Sequence, residues 1–319
     1  MSFQPSLVPA LVGPTGVGKT RLAAAVARLA PVEIVSADSR QVYRTLDIGT
    51  AKPGPDERAA APYHGLDLVD PGERYSAGRF AQGAAGWIAG IAARGRIPLV
   101  VGGTGFYLRA LFDGLFEEPA LDPARRERLR AVLVRHGPGE LARWARRLDP
   151  GFRGGASQRA ARAIEVALLA GTPLSTLQRG SRRTVPALRA WYAWLSVPRH
   201  VLAERIAART RAMLAVGLVD EVRRVLAAGV PPEAPGLTGV GYREVVAHLA
   251  GRLPADELPA AIGAATRRYA KRQETWFRHQ LRGPVTMLDG TRDPATLAED
   301  LLSGYRAASA GVQRPTFNR

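Results

Sequence analysis

Short, densely apolar runs punctuate the first third of the chain: Ala10–Val12, Glu33–Ser36, Leu66–Val69 and Pro98–Val101. Runs of this length, bounded by turn residues, read as strands buried on both faces. The segments between them carry a helical period, over Thr20–Ala30 and from Ser76, a good N-cap, to about Ala93. Strand alternating with helix predicts an α/β fold whose parallel sheet is covered on both sides. From Pro119 to about Pro186 the strand runs vanish, and Pro123–His136, Gly139–Leu148 and Gln158–Ala170 read as arginine-dense helices. The pattern predicts a helical insertion over 119–187, dividing a core of 1–118 and 188–310. The strand pattern resumes at Ala190–Val197 and is followed by a helix over Arg199–Val216. Further helices are expected at Leu218–Ala228, Tyr242–Leu249 and Asp256–Leu281, then a strand Val285–Leu288 and a helix near Pro294–Ala307, with a loose tail over 311–319.

The turn after the first apolar run carries the sharpest chemistry. Gly13-Pro14-Thr15-Gly16-Val17-Gly18-Lys19-Thr20 fits the phosphate-loop pattern GxxxxGK[ST] at every fixed position, between a strand and a helix as the motif requires. The glycines let successive N–H groups point at a di- or triphosphate, Lys19 reaches its terminal phosphates, and the Thr20 hydroxyl ligates Mg²⁺. The chain is therefore expected to bind a polyphosphate.

Composition narrows the setting. Lys and Arg number 45 against 28 Asp and Glu, a net charge of +17, which points to a polyanionic partner such as nucleic acid. The only lysines are Lys19, Lys52 and Lys271. Cysteine is absent, which removes disulfides, cysteine–zinc sites and thiol catalysis. With no long apolar span and no signal-peptide layout, a cytoplasmic protein is expected, without membrane contact.

Four more segments bear on the chemistry. Ser36-Ala37-Asp38-Ser39-Arg40-Gln41 follows the second strand, so Asp38 is expected beside the phosphate loop, as a water-mediated Mg²⁺ contact, a base or a turn residue. The run Pro98–Val101 ends in Gly102-Gly103-Thr104-Gly105 where a nucleoside-triphosphate hydrolase carries aspartate, which lowers the case for a motor or switch. Arg205 and Arg209, four apart, share a helix face that either closes over a diphosphate or stays solvated. Arg267–Arg278 mixes cations with Tyr269, Trp276 and Phe277, and suits both a nucleic-acid surface and an amphipathic helix that buries its aromatics.

Taken together, GPTGVGKT (13–20), SADSRQVY (36–43), DIGTAKP (47–53), LDLVDP (66–71), YSAGRF (75–80), PLVVGGTGFYLRAL (98–111), QRAARAIEV (158–166), GVGYRE (239–244) and AKRQETWFR (270–278) resemble the tRNA dimethylallyltransferase, or isopentenyl diphosphate:tRNA transferase, family. The resemblance implies a P-loop NTPase-like core with an inserted helical subdomain. It implies transfer of a dimethylallyl group from dimethylallyl diphosphate to the exocyclic amine of adenosine 37, next to the anticodon, in tRNAs reading codons that begin with U. In that case the phosphate loop holds a diphosphate leaving group, with Gly13 to Thr20 and Arg209 around it and Mg²⁺ at Thr20, while Asp38 takes or orients the amine proton and Thr104 assists. It further implies tRNA contacts at Asp38, Ser39, Arg40, Gln41, Thr104, Arg126, Gln158, Arg159, Arg162, Thr238, Gly239, Val240, Gly241, Tyr242, Arg243, Lys271, Arg272, Gln273, Trp276 and Arg278. The inserted arginines, Arg126, Arg159 and Arg162 among them, are expected to face the anticodon stem-loop without matching carboxylates. A monomer is expected. Other readings are a small-molecule kinase and an isopentenyltransferase acting on free adenine nucleotides; the QRAARAIEV and AKRQETWFR segments favour tRNA.

Overall fold

The computed structural model describes residues 7–115, 121–154, 156–180 and 188–312. Its contacts divide the chain into two units, Met1–Asp113 with Pro186–Arg319, and Gly114–Val185. The first unit begins with β1 (Leu7–Val12), α1 (Lys19–Leu29), β2 (Val32–Ser36), α2 (Pro55–Ala60), β3 (Tyr63–His64), α3 (Ala77–Ala93), β4 (Ile97–Gly102) and α4 (Gly105–Phe112). The second holds α5 (Pro123–Leu133), α6 (Pro138–Leu148), α7 (Ser157–Ala170) and α8 (Leu174–Gly180). The first unit resumes with β5 (Arg189–Ser196), α9 (Arg199–Ala215), α10 (Leu218–Ala227), a 3₁₀ turn (Pro235–Thr238), α11 (Tyr242–Leu249), α12 (Leu258–Gln280), β6 (Val285–Asp289) and α13 (Pro294–Val312).

Six strands form one parallel sheet in the order β3-β2-β4-β1-β5-β6. Every residue of β1 and β2 is buried, as a sheet covered by helices on both faces demands. Leu11, Leu22, Val26, Ile34, Leu99, Trp191 and Leu301 meet in the main core. In the second unit Leu133, Leu141, Ala145, Ala160 and Ile164 form a core of their own.

The run Leu66–Val69 is not a strand. Gly65 and Asp67 adopt positive φ (88° and 55°), which breaks extended backbone, and within that run Val69 alone bridges, to Tyr43. Pairing falls instead on Tyr63 and His64, opposite Ile34 and Val35. Three short helices, α2, α4 and α8, add to the expected set, and α13 continues through Val312 where the tail was expected to begin at Gly311. The rest of that tail lies outside the described residues.

Candidate active site

The phosphate loop spans the gap between β1 and α1. Gly13, Gly16 and Gly18 have φ of 156°, 83° and 108°, and Gly18 turns the chain directly into α1. The approach at Gly13 is close as well: a Cβ there would lie 2.5 Å from the Leu195 carbonyl oxygen on β5. Only glycine tolerates both the dihedral and the contact. Lys19 Nζ donates to the carbonyls of Gly13 (2.8 Å) and Pro14 (2.9 Å). Burial draws its pKa down to about 8, against the pull of Asp38, and the charge of Arg209 adds to the lowering. Arg209, too, is shifted below the ordinary arginine value by burial, with Asp38 opposing. An added anion would relieve the strain of two partly desolvated cations facing one carboxylate.

The carboxyl ends of β2 and β4 bring the second group of residues to this loop. Ala37 N–H donates to Val101 O (2.8 Å) and Thr104 N–H to Ala37 O (3.2 Å), so the segments after the two strands run together. Asp38 accepts from the Arg40 N–H (2.8 Å), and the Thr104 hydroxyl accepts from the Ser39 N–H (3.0 Å). Gln41 accepts from Ser36 Oγ (2.8 Å) and donates to Ala51 O (3.1 Å), which ties the DIGTAKP loop to the same wall. Arg40 reaches Pro235 O (2.9 Å), anchoring the turn that leads into the Thr238–Arg243 segment.

A cavity of about 910 Å³ opens within this unit. Thr15–Thr20 and Arg209 line it together with Asp38–Gln41, Thr238–Gly241, Arg243, Arg272 and Tyr269. The phosphate-loop residues and many of those expected at an RNA contact therefore face one space. Its size suits a ligand with both a charged head and a bulkier group. By sequence Tyr269 is only one aromatic of a basic helix. In the structure it faces this space with its hydroxyl pKa pushed up to about 12 by burial, the Asp38 charge adding, so it stays protonated beside the aspartate. No motif signals that position.

Several expected side chains are held by bonds within the protein. Gln273 is 7% exposed, and both ends of its amide are used inside the protein. Its oxygen accepts from the Thr15 N–H (2.9 Å), and its nitrogen donates to Gly103 O (2.8 Å). Gln273 therefore braces the phosphate loop against the Gly102–Gly105 turn, at the wall of the same cavity. Tyr242, 1% exposed, donates to Glu221 (2.7 Å) beneath the loop at Gly49, so only its backbone can serve an RNA contact. The same Glu221 accepts from the N–H groups of Asp47, Ile48 and Gly49. Arg205 also lines the cavity, and its guanidinium donates to Val17 O (2.9 Å) and Gly290 O (3.0 Å), tying the loop to the segment after β6. Trp276 packs over Gly105, where a Cβ would lie 2.3 Å from the indole, while Lys271, Arg272 and Arg278 stand exposed. The helix α12 is amphipathic as expected, with Phe277 buried on one face and these cations on the other.

In the second unit Gln158 and Arg159 are exposed on the first turn of α7. The expectation that the inserted arginines lack carboxylate partners fails for two of them. Arg126 and Arg162 both bond to Glu165, at 3.2 and 2.7 Å, because α5 packs on α7 and because 162 and 165 share a helix face.

The donors near the loop suit Mg²⁺. No group of three or more His, Cys, Asp or Glu with ligand geometry exists among the described residues, while Thr20 and Asp38 line the cavity. Mg²⁺ takes few protein ligands and completes its shell with water and phosphate oxygens.

A phosphate-loop motif at the end of β1, with a carboxylate after β2 and a hydroxyl after β4 beside it, defines a P-loop-like α/β protein. The family model for IPP transferase matches residues 41–280, and that for isopentenyl transferase matches residues 7–61. The chain belongs to the IPP transferase family. It is 47% identical over 297 residues to a tRNA dimethylallyltransferase of Anaeromyxobacter sp. (strain K), covering 92% of this chain and 96% of the relative. A tRNA dimethylallyltransferase of Roseiflexus castenholzii is 45% identical over 319 residues, with 97% and 98% covered. Among solved structures, the full-length tRNA isopentenylpyrophosphate transferase of Bacillus halodurans matches with a TM-score of 0.69 at 31% identity, over 97% of this chain and 99% of that one. A eukaryotic dimethylallyltransferase acting on tRNA matches with a TM-score of 0.77 at 26% identity, over 98% and 81%.

Proposed function

We propose that this protein is a tRNA dimethylallyltransferase. It moves the dimethylallyl group of dimethylallyl diphosphate to the exocyclic amine of adenosine 37, next to the anticodon, in tRNAs that read codons beginning with U. The observation that carries this reading is that one cavity is lined by both the phosphate loop and the Asp38–Gln41 and Thr238–Arg243 segments. In the reaction a C–N bond forms at the allylic carbon as its C–O bond breaks. The diphosphate departs with the electron pair, and the amine proton passes to Asp38.

Each group has a task that follows from its surroundings. The N–H groups from Gly16 to Thr20, with Lys19 and Arg209, meet the charge that grows on the leaving diphosphate, the term from which most of the acceleration comes. Thr20 would hold Mg²⁺, which when bound would neutralise part of that charge. The Arg40 N–H fixes the Asp38 carboxylate, and Ser39 fixes the Thr104 hydroxyl, so both stand ready for the amine. The adenosine leaves its stack to enter the cavity, and the basic surface of Arg243, Lys271, Arg272 and Arg278 holds the opened loop. The protein works as a monomer in the cytoplasm; no helix among the described residues is long and apolar enough to cross a membrane.

Competition tests the role given to the loop. Inorganic diphosphate should displace dimethylallyl diphosphate, and Lys19→Ala should weaken both by on the order of tenfold or more, the scale of one charge-assisted hydrogen bond. Robust ATP turnover by the purified protein, with no prenyl transfer, would instead establish a kinase.

A further inference from the structure

The loop at residues 47–53 is held from two sides. Lys52, with a side chain 2% exposed, donates to Tyr43 O (2.6 Å) and to the carboxylates of Asp47 (2.6 Å) and Asp67 (2.5 Å). These bonds join the loop to the segments after β2 and β3. On its other side stands Glu221 of α10, 4% exposed. One of its oxygens accepts from the N–H groups of Asp47 (2.8 Å) and Ile48 (2.7 Å). The other accepts from the Gly49 N–H (3.2 Å) and the Tyr242 hydroxyl (2.7 Å). A carboxylate accepts hydrogen bonds and donates none, so four donors converging on it match its two oxygens. Gly49 has no positive φ, yet a Cβ there would lie 2.5 Å from Tyr242 Cζ. Its lack of a side chain serves the approach of that ring.

The two segments that meet at Glu221 are both walls of the cavity. Gly49, Thr50 and Ala51 line it from the loop, and Gly239, Val240, Gly241 and Arg243 line it from the turn into α11. Gln41 Nε2 donates to Ala51 O (3.1 Å), which fixes the loop beside the Asp38 segment. Glu221 and Tyr242 do not line the cavity themselves. Stability alone is a poor reason to bury a charge here, because apolar residues of similar volume often serve a core as well. A carboxylate shared by a loop and a helix does what an apolar contact cannot: directional bonds of fixed length set the spacing between them.

We infer that Glu221 is a positioning residue which, through Tyr242, hangs the turn at 239–243 on the loop and so sets the width of the cavity where the adenosine enters. The inference rests on the proposed function, in which that turn meets tRNA. Diphosphate binding lies outside its reach, since none of the four donors to Glu221 belongs to the phosphate loop.

Steady-state transfer to tRNA by the full-length protein tests it, with KM measured separately for tRNA and for dimethylallyl diphosphate. Tyr242→Phe removes only the hydroxyl and leaves the ring against Gly49. It should raise the KM for tRNA by about tenfold, the scale of one hydrogen bond to a charged group. Glu221→Gln, which turns an acceptor into a donor facing N–H groups, should raise it at least as much. The KM for dimethylallyl diphosphate and inhibition by inorganic diphosphate should stay at wild-type values. The double variant should be no worse than Glu221→Gln alone, because both changes cut one link. Gly49→Ala alters neither partner of the Tyr242–Glu221 bond and should raise the tRNA KM as well, by pushing the ring away. A merely structural Glu221 would lower the melting temperature and leave both KM values unchanged. That result in Tyr242→Phe and Glu221→Gln would overturn the positioning role, and so would equal rises in both KM values. Should Glu221→Gln fail to fold, Tyr242→Phe and Gly49→Ala decide alone. If the wild-type protein transfers nothing to tRNA, the fault lies in the proposed function, and the inference falls with it.

Discussion

At the scale of single residues, the proposed chemistry turns on Asp38. It lies beyond the end of β2, is fixed by the Arg40 N–H, and shares its field with Lys19, Arg209 and Tyr269. If it receives the amine proton, Asp38→Ala should slow the chemical step by on the order of 10²–10⁴, the usual range for a positioned acid–base group. Single-turnover rates with both substrates saturating would show this, and a near-normal rate would remove Asp38 from the reaction. The phosphate loop was legible in the sequence because its backbone geometry needs glycine at fixed places. Gln273, Tyr242 and Arg205 were not legible in the same way. A motif records that a residue type is present, and says nothing about the direction of its side chain. Gln273 bonds to Thr15 across 258 positions of sequence, a partnership that no local pattern carries.

At the scale of elements, strands of the central sheet could be read because burial on both faces leaves continuous apolar runs. The edge could not. Leu66–Val69 looks apolar enough, but positive φ at Gly65 and Asp67 diverts it, and the pairing moves to the two residues before. Helices α2, α4 and α8 are too short to develop a full apolar period, and α4 begins inside a segment read only as a glycine turn. Glu33 illustrates what a two-faced pattern misses. It is a charged residue buried in β2, hydrogen-bonded by Arg94 (2.7 Å) and by His64 (2.7 Å). The bond from Arg94 lowers its pKa from 4.5 despite burial, and His64 contributes in the same direction. A depressed carboxyl stabilises the fold fully above the unfolded value and loses that contribution as pH falls below it, toward the native value. Glu33→Gln should therefore lower stability by about 1–3 kcal/mol at neutral pH, the range for a charged hydrogen bond. The gap to wild type should close progressively as pH drops below about 4.5. Denaturant melts at a series of pH values would show it; a constant gap down to pH 3 would mean that the ionised carboxylate contributes nothing.

At the scale of the whole molecule, a net charge of +17 and an arginine-rich second unit announce a polyanion, and the cavity of the first unit supplies the place for chemistry. Charge alone could not say which polyanion, nor could the phosphate loop say whether its ligand is a cofactor, a phosphoryl donor or a leaving group. The glycine–threonine turn after β4, the family membership and the shared cavity together favour the leaving group. The central claim is a transfer between two substrates, so the most direct measurement follows the product. Purified protein, Mg²⁺, unmodified tRNA and isotopically labelled dimethylallyl diphosphate should be combined, and the RNA then digested to nucleosides and to sequence-mapped fragments. The account predicts label in N6-(dimethylallyl)adenosine, confined to the position next to the anticodon, with one diphosphate released per group transferred. Label appearing in free adenine nucleotides while tRNA stays unlabelled, or diphosphate released without any labelled nucleoside, would contradict it.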